Sequence, residues 1–314
     1  MKFHYIFGPV PSRRLGFSLG VDIVPFKTCT LNCVYCQLGG TPKKTIRRQR
    51  YGITKDILFE LDHILHQGQK IDYITLSGSG EPTLNSNIKE IIEAIKGMSN
   101  IPVAVLTNGT LLYRRDVRRA LYSADLVIPS LDAVSEGVFA KINRPHDSLR
   151  MNRIIEGVHS FVSEFRGKVW IEIMFVKGLN DHWDEVQKIK TVISEIHPQE
   201  IHINSVVRPP AEDFATALSM TELQRIQTII GVKCKLIGEL RGNKMKNNKK
   251  EVRSTIVNLT KRRAVTIADI TDTLGVHVNE IIKCLRDLQK EKVIYRIIHN
   301  GQDYYTQMMK GEIS

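Results

Sequence analysis

Residues 29–36, Cys29-Thr30-Leu31-Asn32-Cys33-Val34-Tyr35-Cys36, set three cysteines in a CxxxCxxC pattern directly after an apolar run from Leu19 to Val24. No other stretch constrains the chain as tightly. Three thiolates on a short loop suit a cubane iron–sulfur cluster, in which each takes one iron and the fourth iron keeps no protein ligand, leaving a position open for chemistry. Structural zinc, a disulfide framework and unrelated buried thiols are the competing readings. Zinc in a closed site takes four protein ligands, and no fourth Cys or His stands at ligand spacing: Cys234 and Cys284 lie far along the chain, and His63 and His66 fall on an expected helix. A long chain with five cysteines and no secretory signal reads as a protein of a reducing compartment, which disfavours disulfides.

The 314 residues suffice for one large domain and a small one, and 42% hydrophobic content is ordinary for a chain with a substantial core. Met1-Lys2-Phe3-His4-Tyr5 opens no apolar stretch, and no window approaches the ~18 uninterrupted apolar residues of a spanning helix, so a cytoplasmic protein without membrane attachment is expected. The net charge of +12 is unevenly spread. Residues 1–50 carry 9 Lys/Arg against 1 acid, residues 51–234 carry 20 against 23, and residues 235–314 carry 16 against 9. Charge gathered at both ends points to a polyanionic partner, nucleic acid ahead of a membrane surface.

Along the chain, the Gly- and Pro-rich stretch 7–20 reads as an ordered loop leading into the first strand, with Arg13 and Arg14 close in sequence to the cysteines. From residue 52 onward, β-branched strands alternate with helical periods: helix 54–66, strand 71–76, helix 87–97, strand 102–107, helix 113–122, strand 125–130, helix 148–165, strand 168–176, helix 182–196, strand 200–205 and helix 220–230. With Leu19–Val24 this makes six βα units and an α/β fold with a parallel sheet, whose functional residues lie beyond the carboxyl ends of the strands. Periodicity alone leaves open a curved barrel or a flat, doubly wound sheet. Ser77-Gly78-Ser79-Gly80-Glu81-Pro82 follows the second strand, its small residues allowing a ligand close to the backbone. Thr107-Asn108 and Ser130-Leu131-Asp132 end the third and fourth strands, where capping the next helix is the competing role. Glu172 is an acid inside the apolar fifth strand, and Arg208 follows the sixth; both are substrate-binding candidates, with Arg13 and Arg14.

The cysteine spacing, the aromatic Tyr35 before the last cysteine and the Ser77–Pro82 loop together resemble the radical S-adenosylmethionine (SAM) superfamily over roughly residues 15–230. The resemblance implies a partial (β/α)6 barrel like a TIM barrel, with a [4Fe-4S] cluster on Cys29, Cys33 and Cys36 whose open iron is chelated by SAM. It places the SAM ammonium group at Gly78, Ser79, Gly80 and Glu81, with Tyr35, Thr107, Asn108, Ser130 and Asp132 as further cofactor contacts. The implied activity is of oxidoreductase or transferase type: an electron from a flavodoxin- or ferredoxin-type donor cleaves SAM to methionine and a 5′-deoxyadenosyl radical, which takes a hydrogen atom from substrate. Phe7-Gly8-Pro9-Val10-Pro11-Ser12-Arg13-Arg14 and the Ser77–Thr83 loop resemble the branch containing the wyosine-forming enzymes, which act on tRNA.

Residues 1–238 thus form the expected barrel domain, and the polar, basic stretch 239–250 reads as a linker. Over 251–314, helices near 251–260, 266–273 and 277–290 precede a hairpin turning at Asn300-Gly301, a layout resembling a winged helix. Three functions follow from these features: modification of tRNA or another RNA, modification of a peptide, protein or small molecule recruited by the winged helix, and a DNA-binding regulator sensing redox state or SAM. Deleting the carboxyl-terminal unit is expected to spare SAM cleavage.

Overall fold

The computed structural model describes residues 4–231, 233–237, 249–276 and 278–307. Its first element is a hairpin, Ile6–Ser12 (β1) against Gly16–Val21 (β2), antiparallel, with the register shifting between Phe7 and Val10. This corrects the expected loop over residues 7–20. Phe17, Leu19 and Val21 are buried along β2, and that burial outweighs the turn-forming character of the neighbouring glycines and prolines.

The alternating units follow in order: Thr54–Leu65 (α1), Tyr73–Leu76 (β3), Ile88–Met98 (α2), Val103–Thr107 (β4), Arg115–Ala120 (α3), Leu126–Pro129 (β5), Glu136–Ile142 (α4), Met151–Glu164 (α5), Lys168–Phe175 (β6), Trp183–Ile196 (α6), Glu200–Ser205 (β7), Met220–Ile230 (α7) and Cys234–Leu236 (β8). From β2 to β8 each strand pairs in parallel with the next. A doubly wound sheet reverses strand order at a switch point, whereas this eight-stranded sheet runs in chain order from β1 to β8 without reversal, as in a barrel wall wound one way. The six expected strands are β2 to β7; β8 is too short to announce itself by alternation. Ile88, Ile91, Ile92 and Ile95 give α2 a wholly buried stripe at helical spacing.

Helix α5 sits close enough to the loop between β4 and α3 that a Cβ on Gly157 would lie 2.2 Å from the Tyr113 backbone nitrogen. Gly157→Ala is therefore expected to lower stability by about 1–3 kcal/mol through overpacking, readable as a lower urea midpoint with unchanged slope.

The carboxyl-terminal unit has helices Lys249–Arg262 (α8), Ile267–Leu274 (α9) and Val278–Lys290 (α10), then the antiparallel pair Tyr295–His299 (β9) and Gln302–Thr306 (β10). The expected linker lies outside the described residues through position 248, and its last two residues belong to α8. His277, the expected start of the third helix, is also outside them. Thr266 starts α9 with a capping box closed by Asp269. Asn300 and Gly301 have φ of 48° and 74°, as a type I′ turn needs. Ile256, Leu259, Ile270, Leu274, Ile281, Leu285 and Leu288 form a second apolar core, which Val10 of β1 completes from the barrel side. Among the described residues, no helix is long and apolar enough to cross a membrane.

Candidate cluster and cofactor site

The cysteine loop leaves the carboxyl end of β2 and is held from both sides. Leu31 and Val34, interleaved with the thiols, are buried; Asn32 N donates to Asn143 O at 2.9 Å, Val34 N to Ile142 O at 2.9 Å and Thr45 N to Cys29 O at 2.9 Å. The three thiols remain part-exposed. Each faces an N–H donor: Asn108 Nδ2 lies 3.5 Å from Cys29 Sγ, Asn143 Nδ2 3.4 Å from Cys33 Sγ and Lys27 Nζ 3.2 Å from Cys36 Sγ. Burial pushes the Cys29 thiol up to about 12 and Cys33 well above the ordinary thiol range, and the Glu81 and Asp132 carboxylates add to the respective shifts. Unligated, both hold their protons at neutral pH, and a metal displaces those protons when it binds.

The donor set fits a cluster. Soft sulfur ligands with three surrounding donors suit thiolates bound to iron, and hydrogen bonds to the sulfurs are among the levers that set cluster potential. A single tetrahedral ion needs its ligands ~2.0–2.3 Å from one point, and among the described residues no three His, Cys, Asp or Glu side chains gather around such a point. A cubane distributes its three thiolates over three irons.

Several residues expected to touch SAM hold, in this structure, the loops that would present it. Tyr35 Oη donates to Asp132, whose carboxylate also accepts from Asn143 Nδ2 at 2.7 Å and Met174 N at 2.9 Å; burial raises Asp132 to about 6. Tyr35 and Asp132 thus fasten the cysteine loop to the ends of β5 and β6. Glu81, buried, accepts at Oε1 from Thr83 N and Oγ1 and from Thr107 Oγ1, at 3.0, 2.5 and 2.6 Å, and at Oε2 from Asn108 N at 2.7 Å. It ties the ends of β3 and β4 together, leaving Asn108 to reach Thr30 and Cys29. Ser130 joins the wall through its backbone, donating to Thr107 O at 3.0 Å.

The Ser77–Pro82 loop lies against the cysteine loop: Lys27 N donates to Ser79 O at 2.7 Å and Glu81 N to Thr28 O at 2.9 Å. Gly78, at φ 140°, faces Asp22, which accepts from the Ser79 hydroxyl. A Cβ on Gly80 would fall 2.1 Å from Thr28 O. The glycine is needed for loop-to-loop contact before any ligand arrives. Gly80→Val is therefore expected to shift the cysteine loop and to lower both iron content and SAM affinity, measured by iron assay and calorimetry. Full iron content with reduced SAM affinity would assign Gly80 to the ligand alone.

Of the four residues expected at substrate, Arg14 and Glu172 pair with each other, Arg208 pairs with an acid of the carboxyl-terminal unit and Arg13 reaches a neutral amide. Arg14 Nη1 lies 2.5 Å from Glu172 Oε1, and the paired arginine holds Glu172 below the usual carboxylate range despite burial. Arg208 Nη2 lies 3.3 Å from Asp269 Oδ1. Arg13 Nη1 donates to Asn204 Oδ1 at 3.3 Å. Glu172, expected at substrate, is engaged in this structure by Arg14 and Asn204.

A profile of the Radical SAM superfamily matches residues 23–189. The chain belongs to the radical SAM superfamily. It is 32% identical to a UPF0026 protein of Methanocaldococcus jannaschii over 97% of this chain and 96% of that protein. It is 33% identical to a protein of Brachyspira hyodysenteriae named GTPase Obg, over 96% of this chain and 45% of the other, so it spans less than half of that relative. More distant relatives are a probable GTP 3′,8-cyclase of Methanothermobacter thermautotrophicus, 27% identical over 70% of this chain and 69% of the other, and a probable dual-specificity RNA methyltransferase of Listeria monocytogenes, 21% identical over 63% and 55%. A radical SAM methyltransferase from Sphaerobacter thermophilus shares the fold, with a TM-score of 0.54 at 16% identity over 70% of this chain and 65% of that one. Radical SAM proteins are enzymes that work with a [4Fe-4S] cluster and SAM.

Of the three residues that surround the thiols of this radical SAM protein, Asn108 was expected near the cofactor from its place at the end of the third expected strand, whereas Lys27 and Asn143 were missed, although Lys27 stands two residues before Cys29. Asn143 lies more than a hundred residues from the cysteine it faces, and nothing local marks it. Arg262 pairs with Asp22 at 3.6 Å and stacks on Phe7, coupling α8 to the loop that carries Ser79.

Proposed function

We propose that this protein binds a [4Fe-4S] cluster through Cys29, Cys33 and Cys36, cleaves SAM reductively and uses the radical to modify an RNA substrate, with tRNA the first candidate. The observation that carries the reading is the three-thiol loop at the carboxyl ends of parallel strands, each sulfur with its own N–H donor, beside the Ser77–Pro82 loop. Bound there, the cluster and SAM supply a 5′-deoxyadenosyl radical when an electron arrives. This chain's residues do the rest: Tyr35, Glu81 and Asp132 keep the loops in place, while Asn108, Asn143 and Lys27 donate to the sulfurs. A flavodoxin- or ferredoxin-type donor and a cytoplasmic setting go with this chemistry.

Support for RNA comes from the basic ends, from the winged-helix layout of the carboxyl-terminal unit and from the RNA methyltransferase named among the relatives. The Phe7–Arg14 and Ser77–Thr83 motifs keep the wyosine-forming branch in view. Five basic residues follow the cysteines, Lys43, Lys44, Arg47, Arg48 and Arg50, and part of this run serves the fold: Arg48 pairs with Asp116 at 2.8 Å and Arg50 with Glu90 at 2.8 Å, while Lys43 and Arg47 stay exposed. A free nucleotide is the second reading, favoured by the GTP 3′,8-cyclase among the relatives. Anaerobic reconstitution followed by liquid chromatography, with and without total tRNA, tests the two: RNA-stimulated 5′-deoxyadenosine and a mass shift in one nucleoside are expected. Stimulation by nucleotides and not by RNA would move the second reading to first place.

A further inference from the structure

Between the barrel and the carboxyl-terminal unit lies a cavity of about 450 Å³. Leu218, Leu223 and Ile237 give it an apolar wall, and Arg13, Arg208 and Asp269 a charged one. The charges do not balance. Arg13 comes from the tip of the β1–β2 hairpin, Arg208 from the loop after β7 and Arg263 from the end of α8; with Arg14 they make four guanidiniums, against Glu172 and Asp269, with Asp272 also lining the cavity. Glu172 is taken by Arg14 at 2.5 Å. Asp269 holds Arg208 only through long contacts of 3.3 and 3.4 Å. Arg13 has just the neutral amide of Asn204, and the Nη2 of Arg263 is buried with no hydrogen-bond partner. Among the described residues neither Arg13 nor Arg263 has a carboxylate within ion-pair distance. Burial and the neighbouring cations lower Arg13 to about 10 and Arg263 to about 9, against the opposing pull of Asp269, and both values stay above neutral pH.

Unmatched buried cations are costly unless a ligand completes them. A carboxylate has two oxygens in one plane and suits one guanidinium fork, whereas a phosphate offers oxygens in several directions to forks arriving from different elements. We propose that this cavity binds an organic phosphate, with Arg13 and Arg208 on the phosphate oxygens and Leu218, Leu223 and Ile237 against its apolar body. The proposal rests on the reading of the protein as an enzyme that modifies RNA or a nucleotide, and it names what that substrate presents: a phosphorylated nucleoside, whether free or within a strand. Arg263 sustains the positive potential from behind, and the unit carrying it forms part of the pocket wall, so barrel and carboxyl-terminal unit together make the site.

The test is calorimetry on the full-length, reconstituted protein with uridine and guanosine 5′-monophosphates, inorganic phosphate and a short RNA. At least one nucleotide is expected to bind saturably, one per chain, and more tightly than inorganic phosphate. Arg13→Gln and Arg208→Gln should each weaken it about tenfold, the worth of one charge-assisted hydrogen bond. Asp269→Asn should strengthen it by removing the competing carboxylate, a change of sign that a folding defect does not produce. Lys190→Gln, an exposed charge on α6, should change nothing. Competition by the RNA assigns the phosphate to a strand, and lack of competition to a free nucleotide; both uphold the site. Absence of saturable binding in the unaltered protein, wild-type affinity in Arg13→Gln, or inorganic phosphate binding as tightly as the nucleotides would overturn it. SAM cleavage measured in parallel separates the two readings: cleavage without phosphate binding defeats only this site, and phosphate binding without cleavage defeats only the proposed function.

Discussion

Cys33→Ala is expected to give a folded protein that holds no intact [4Fe-4S] cluster and cleaves SAM no faster than reductant alone. Cys33 is the middle thiol of the loop and its removal leaves two ligands, too few for a cluster that depends on three. The fold should survive, because Leu31 and Val34 still anchor the loop and Asn143 keeps its bond to Asp132. A stability change of about 1 kcal/mol is the ordinary scale for such a substitution. Iron and sulfide content, the visible spectrum and 5′-deoxyadenosine yield read the chemical loss, and thermal unfolding reads the fold. Stoichiometric zinc with no iron in the unaltered protein after anaerobic reconstitution would sink the assignment.

Truncation after residue 238 is expected to remove most of the affinity for RNA and to flatten the dependence of log K on log salt, because the phosphates contacted by the missing unit no longer release counterions. Fluorescence anisotropy across a salt series measures both. Equal slopes for the two proteins would mean that the carboxyl-terminal unit does not bind nucleic acid. The sequence alone suggests a tethered unit whose loss leaves the barrel untouched, but the structure changes that expectation. Truncation uncovers Val10, whose burial is worth about 2 kcal/mol, and strips Asp22 of Arg262 beside the Ser79 loop. A lower unfolding temperature and weakened SAM binding should therefore accompany the loss of RNA affinity. The point variant Val10→Ala separates the two effects, since it should lower stability while keeping the salt slope.

The thiol loop, the six parallel strands and the α2 stripe were legible because each is written in neighbouring residues: a spacing of cysteines, a run of β-branched side chains, an apolar residue every third or fourth place. The β1–β2 hairpin was hidden by its glycines and prolines, whose local preference gave way to the burial of Val10 and Phe17.

What the sequence by itself determined is therefore the local chemistry: three soft ligands in one loop, small residues after β3, and basic residues at both ends. What the tertiary structure alone decided is which charges meet. Asp132 became a fastening for Tyr35 and Asn143, Glu172 went to Arg14, Asp22 to Arg262 and Asp269 to Arg208, while among the described residues Arg13 and Arg263 were left without a carboxylate within ion-pair distance. These partners are separated by tens to hundreds of residues, and a charged side chain carries no periodicity that names its counterpart. Only the winding of the sheet and the seating of α8 and α9 on the hairpin bring them within the few ångströms over which an ion pair acts.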